Sequence, residues 1–245
     1  MMRKMIVSAL VLAVATTGLA VAEGPDLQQL IQETQRVQQE NGVLRLVWWI
    51  PTEFWEISLA EDSSITQEQK EAVLQALDDF LMVAVVDGKF SALGTLTGAP
   101  KSEIIKKVTV DVGGRTLKPI AEGDFSGDAR IFFDTMKPML ASMMGQLGEG
   151  MEFIAFEGRD AEKQRYADPK GTGSIKVRID ADEYTFRLPL GSLMPPMYDP
   201  STGEEFPGNY KYSPFTGKSL QPSPPPSGQA SGDGAAPAIG RSGPS

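Results

Sequence analysis

An α+β domain on a mostly antiparallel sheet is what this sequence predicts, with two to four helices, a small C-terminal ribbon-like β-hairpin and a disordered tail. Three observations carry that prediction. Residues 175–179 and 184–188 alternate apolar and polar side chains on either side of Asp180-Ala181-Asp182-Glu183, as an antiparallel strand pair with one wet face does. Asp87-Gly88 and Gly113-Gly114 join further strand-like runs into hairpins. Apolar residues recur at helical spacing between those hairpins, and strands and helices in that arrangement make an α+β architecture.

The elements follow in order. Residues 1–22 start with Arg3 and Lys4, continue through an apolar stretch and close with Ala20-Val21-Ala22, the pattern of a secretory signal peptide cut after Ala22. The competing reading is an uncleaved anchor, which the marginal length and Ser8, Thr16, Thr17 and Gly18 disfavour. Residues 25–39 carry Leu27, Leu30, Ile31 and Val37 at helical spacing, with Asn41-Gly42 as a stop. A strand over 43–49 ends at Pro51. Thr66 and Gln69 form a capping box for a second helix with Val73, Leu77 and Phe80 along one face. Residues 82–86 read as a strand that Asp87-Gly88 turns into another from Phe90. Residues 104–112 and 115–117 read as a hairpin. A long helical pattern over 127–147 contains Pro138, which should kink it. Residues 151–156 are a further strand.

Composition excludes much chemistry. The 245 residues contain no Cys and no His. Disulfides, thiolate nucleophiles, Cys-ligated zinc, Ser-His-Asp triads and His metal ligands are therefore all ruled out. The formal net charge is −9, and removal of Arg3 and Lys4 with the signal segment takes it to −11. Such a chain is repelled by phosphate backbones and anionic lipid, so no nucleic-acid partner is expected, and a membrane only through an uncleaved signal segment. No P-loop is present, and no dinucleotide fingerprint follows a strand.

Domain organisation follows from composition shifts: an α+β domain over 23–194, a hairpin over 195–220 and a tail over 221–245. Pro, Gly and Ser make up 16 of the tail's 25 residues, with polyproline character around 222–226. The hairpin holds an internal repeat. Asp199-Pro200-Ser201-Thr202-Gly203 returns fourteen residues later as Ser213-Pro214-Phe215-Thr216-Gly217, each copy followed by an apolar residue, Phe206 and Leu220. Zinc ribbons repeat C-P-x-C-G, because two sulfurs three residues apart converge on one metal while Gly permits the turn. Here Asp199, Thr202, Ser213 and Thr216 stand at the four ligand positions. Their oxygens suit Asx and Ser/Thr turns, and no metal or other cofactor is expected.

Beyond the repeat, residues 48–55 (WWIPTEFW), 143–148 (MMGQLG) and 188–196 (LPLGSLMPP) resemble a family of uncharacterised exported bacterial proteins ending in a zinc-ribbon-like segment. The resemblance spans about 45–220 and departs at the four ligand positions, where all cysteines are replaced. It implies an architecture and no activity.

Other candidate residues each have a functional and a packing reading. Trp48, Trp49 and Trp55 could stack on sugar rings, though consecutive strand residues face opposite ways and aromatics dominate cores. Glu53 and Glu56 resemble a glycosidase carboxylate pair in type but not in separation. Met136, Met139 and Met143 share a helical stripe that could hold Cu(I), but Met also fills core gaps. The sequence thus predicts an exported periplasmic or extracellular protein, non-enzymatic, acting as a binding or assembly module of the cell envelope toward a protein or glycan. The alternatives are a glycan-binding or carbohydrate-active protein using the Trp cluster and a copper-handling protein using the Met stripe.

Overall fold

The structure, a computed structural model, describes residues 26–60, 63–125, 127–143 and 145–225, without several side chains between 122 and 149. The expected signal segment, and the tail beyond residue 225, lie outside the described residues. The fold is α+β with antiparallel sheets, as the sequence predicts, and none of its described helices is long and apolar enough to cross a membrane.

Helix α1 (Leu27–Thr34) is capped by Asp26, whose carboxylate accepts from the Gln28 N–H at 2.8 Å. It is shorter than the predicted 25–39. At Gln35 the chain enters β1 (Gln35–Glu40), which pairs antiparallel with β2 (Val43–Ile50). Asn41-Gly42, expected to stop a helix, is instead a hairpin turn with φ of 51° and 77°. Cross-strand pairing has overridden helical spacing, and Val37, placed on the helix face from sequence, is 58% exposed on an edge strand.

Helix α2 (Thr52–Ala60) follows Pro51 directly and was not anticipated. Helix α3 (Gln67–Asp78) starts where predicted, with both capping-box bonds present: Gln69 N–H to the Thr66 hydroxyl and Thr66 N–H to the Gln69 side chain. Strand β3 (Phe80–Phe90) runs straight through Asp87-Gly88, correcting the expected turn there. Asp87 stays in register opposite Arg45, and the turn comes instead at 91–95, before β4 (Leu96–Gly98). Residues 101–107, placed partly in a strand from sequence, form helix α4 (Lys101–Lys107) ahead of β5 (Val108–Val112) and β6 (Arg115–Leu117). Helix α5 (Gly127–Met143) contains Pro138, and the single turn α6 (Gln146–Glu149) leads to β7 (Glu152–Glu157).

Two sheets result. The first has the order β1-β2-β3, with β4 and β7 both pairing β3 along different stretches. The second has the order β6-β5-β8-β9, where β8 is Gly173–Ile179 and β9 is Asp182–Leu188. Side-chain alternation sorts the layers. On β2, Trp48 meets Phe54 of α2 at 5.0 Å between ring centroids, whereas Trp49 meets Phe186 of β9 at 6.2 Å. The first sheet is thus sandwiched between helices and the second sheet, so β3 is buried on both faces from Leu81 to Gly88. The second sheet has the predicted wet outer face, with Lys176 and Arg178 paired to Glu183 and Arg178 also to Asp111.

The hairpin follows, with β10 (Met197–Tyr198) antiparallel to β11 (Glu205–Phe206). Gln221, assigned to the tail from sequence, still belongs to it: its N–H and C=O both bond to Tyr198.

Candidate functional site

The repeated turns at 199–203 and 213–217 fold alike and face each other. In the first, the Asp199 N–H donates to the Glu204 C=O and the Gly203 N–H to the Asp199 C=O, both at 2.9 Å. In the second, Ser213 with Lys218 and Gly217 with Ser213 make the same two bonds at 2.9 Å. Gly203 and Gly217 take φ of 73° and 68°, a region that side chains strain to enter. The leading side chain of each turn collects its own N–H groups. Asp199 Oδ1 accepts from the Ser201 N–H at 2.7 Å, the Ser201 hydroxyl at 2.6 Å and the Thr202 N–H at 3.3 Å. Ser213 Oγ accepts from the Phe215 and Thr216 N–H groups at 3.3 and 3.2 Å. The fourth residue of each turn adds a second anchor, Thr202 to the Glu204 N–H and Thr216 to the Lys218 N–H.

The clasp closes where the Thr216 hydroxyl donates to Asp199 Oδ2 at 2.5 Å. Asp199 is fully buried and Ser213 nearly so, and both are satisfied by these donors. The Ser201 and Thr216 hydroxyls, with smaller help from the Ser201 N–H and the Ser213 hydroxyl, hold the Asp199 carboxyl far below the usual carboxylate range. The donor set does not suit zinc, being three hydroxyls and one carboxylate that already accepts four hydrogen bonds. Among the described residues, no group of three or more Asp or Glu is arranged to hold a metal ion.

The ribbon is fastened to the domain through residues 189–195. Both oxygens of Glu33, on α1, accept from that loop: Gly191 N–H at 2.7 Å, Ser192 N–H at 3.0 Å and Ser192 Oγ at 2.5 Å. Asn209 donates to the Pro189 C=O, and Gly208 packs so closely that an added Cβ would lie 2.3 Å from the Pro195 C=O. Between loop and ribbon lies an open groove of about 450 Å³, walled by Pro189, Met194, Met197, Tyr210, Tyr212 and Leu220. Its one charged lining residue is Lys211. Tyr210, Tyr212 and Phe215 are 44%, 65% and 75% exposed, an aromatic cluster at the surface whose inner member, Phe206, stacks on Tyr210.

The other predicted sites fare differently. Trp48, Trp49 and Trp55 are 3%, 1% and 3% exposed, so all three lie in the core, in line with the packing reading, and no tryptophan face is open for ligand stacking. Trp48 donates to the Thr34 hydroxyl, and Trp55 packs edge-on against Phe54 and Phe132. Glu53 and Glu56 part company. Glu53 is buried against Arg165, 2.7 Å away, and Glu56 is exposed. The side chains of Met136, Met139 and Met143 lie outside the description, while Met151 is fully buried.

Sequence reasoning missed two ion networks. Arg165 bridges Glu53 and Asp78, which also pairs Arg159, from a 163–170 stretch that reads as a plain surface loop. A cavity of about 20 Å³ beside them has room for one water and no substrate. Arg45 links Asp87 to Asp180 and Asp182, joining the two sheets, with Lys107 alongside. Arg45 is the only charged residue of β2, and nothing local to it names its partners. Comparison with known proteins finds no similar family model, no curated relative and no solved structure that matches.

Proposed function

We propose that this chain is an exported, non-enzymatic binding or assembly module of the cell envelope, whose docking surface is the 195–220 ribbon. The observation that carries this reading is the exposed trio Tyr210, Tyr212 and Phe215 beside an apolar groove, on a clasp whose polar groups are spent on one another. Aromatic residues at the surface that are held rigidly and cost little entropy to immobilise are the residues from which interface hot spots are built. Export rests on the signal-like residues 1–22, and the metal-free state on the donor set at Asp199, Thr202, Ser213 and Thr216. The likeness to an exported ribbon-bearing family agrees with export, and the chain departs from that family at those four positions.

The test compares capture from envelope extract by the mature protein and by a Tyr212→Ala/Phe215→Ala double variant. Partners held by the first and lost by the second support a ribbon docking surface. Identical captured sets would place the docking surface elsewhere, and turnover of a panel of envelope glycans would overturn the non-enzymatic reading. Elemental analysis of the purified protein should show no stoichiometric zinc.

A further inference from the structure

The second sheet ends on a strand whose outer edge is open. In the order β6-β5-β8-β9, strand β9 pairs only with β8. Two residues, Asp180 and Ala181, join those strands, so Ile179 and Asp182 face each other as a hydrogen-bonded pair. Alternation along the ladder aims the N–H and C=O groups of Asp182, Tyr184, Phe186 and Leu188 at β8, and those of Glu183, Thr185 and Arg187 outward. Among the described residues, no backbone group of another segment bonds to those three. An edge of this kind is a template for one more strand.

The remaining edges are less suited to that use. Strand β7 is covered on its free side by Pro119, bridged to Phe156, and by the Ile120 N–H, which donates to the Ala155 C=O. Strands β4 and β6 have three residues each. Strand β1 has six, and its hairpin pair Glu40 and Val43 aims Gln35, Val37 and Gln39 outward. Full-length antiparallel pairing of β1 with itself sets Gln35 opposite Glu40, an outward group against an inward one, so no complete ladder forms.

Strand β9 has seven residues, and the same operation succeeds. Thr185 comes opposite Thr185 of a second copy, Glu183 opposite its Arg187, and Tyr184 opposite its Phe186. Outward groups meet outward groups at every such position, and each end joins opposite charges. Sliding by two residues keeps the ladder but loses the match, setting Glu183 opposite either Thr185 or Pro189, which has no N–H. Arg187 is exposed and is the one cation of the wet face without an ion pair among the described residues, whereas Lys176 and Arg178 both hold Glu183. Strand positions on that face carry the cations Lys176, Arg178 and Arg187 against the acids Asp111 and Glu183, so the meeting edges are not acidic although the whole chain is.

We propose that the chain forms a two-fold dimer by antiparallel pairing of β9 with β9 of a second copy, in the register centred on Thr185. The two four-stranded sheets join into one continuous sheet, and the closed symmetry uses both open β9 edges. This surface is separate from the ribbon and does not depend on the docking reading given to it.

Sedimentation equilibrium of the mature full chain should show a monomer–dimer equilibrium. Amide exchange followed against concentration reads the register. The N–H groups of Glu183, Thr185 and Arg187 should exchange freely in dilute solution and become protected on association, while those of Tyr184 and Phe186 are protected throughout. Arg187→Glu breaks no ion pair of the monomer but sets acid opposite acid at both ends, and should weaken dimerisation about 10-fold or more. Glu183→Arg should weaken it likewise. Mixing the two variants should restore association, since every end pair of the mixed dimer joins opposite charges. Circular dichroism and thermal melts check that each variant is folded, and Arg187→Glu serves alone if Glu183→Arg is not. A full chain that stays monomeric at several hundred micromolar overturns the proposal. So does a dimer whose three outward amides stay unprotected, an Arg187→Glu variant that dimerises like the parent, or a mixture of folded variants that associates no better than either alone.

Discussion

At Asp199 a carboxylate occupies a fully buried position without a cation, because hydroxyl and N–H donors converge on both of its oxygens. Removing the carboxylate strands those donors, which is costly in proportion to their burial. Asp199→Ala is expected to open the ribbon while the domain stays folded, visible as new proteolytic cleavage within 195–220 at unchanged core protection. Its ionisation sets a pH dependence with a definite sign. The folded-state pKa lies below the ordinary 3.8, so the stabilisation is complete above about pH 4. It declines as the pH falls further toward the folded value. Asp78 moves the same way: burial opposes ionisation, but the bonds to Arg159 and Arg165 outweigh it. Acid titration followed by amide exchange should therefore show the ribbon and the 159–165 loop loosening below pH 4, with no transition near neutrality in a chain that lacks His.

Elements were legible where their signals were local. The capping box at Thr66 and Gln69 names the start of α3, and Thr66→Ala should cost about 1 kcal/mol in urea denaturation. The alternation over 175–188 names β8 and β9, and the fourteen-residue repeat names the two clasp turns. Elements were misread where a partner decides. Residues 35–40 have helical spacing, yet β2 offers them a complete antiparallel register from Gln35 opposite Trp48 to Glu40 opposite Val43. Asp87-Gly88 looks like a turn, yet Arg45 and Lys107 hold Asp87 in an extended strand. At the junction of ribbon and domain, Gly208→Ala should push the ribbon off the 194–195 backbone. Loss of the Asn209–Pro189 bond in that variant, read by hydrogen exchange in the 189–195 loop, checks the expectation.

On the scale of the whole molecule, three layers share one central sheet, and each consecutive tryptophan of β2 serves a different interface. Trp49 fills the sheet–sheet interface against Phe186, so Trp49→Ala should cost about 3–5 kcal/mol in chemical denaturation. Arg45 is the polar counterpart across that same interface. Arg45→Ala leaves buried Asp87 with Lys107 as its remaining cation, and a loss of about 1–3 kcal/mol is expected. Arg165 plays the equivalent part between α2, the end of α3 and the 159–167 loop, through Glu53 and Asp78. Tyr210, Tyr212 and Phe215 lie outside those networks, on the ribbon, and take no part in the core of the domain.

By itself, the sequence determined the α+β class, the wet-faced strand pair, the capped helix and the oxygen-lined double turn. Each of these is written in residues a few positions apart, within reach of local hydrogen bonds and side-chain periodicity. Tertiary structure alone decided that 35–40 is a strand, that Glu53 answers Arg165, and that a groove opens beside Tyr212. Those outcomes depend on which surfaces meet across more than a hundred residues, and burial and long-range pairing free energies have no local imprint in the chain.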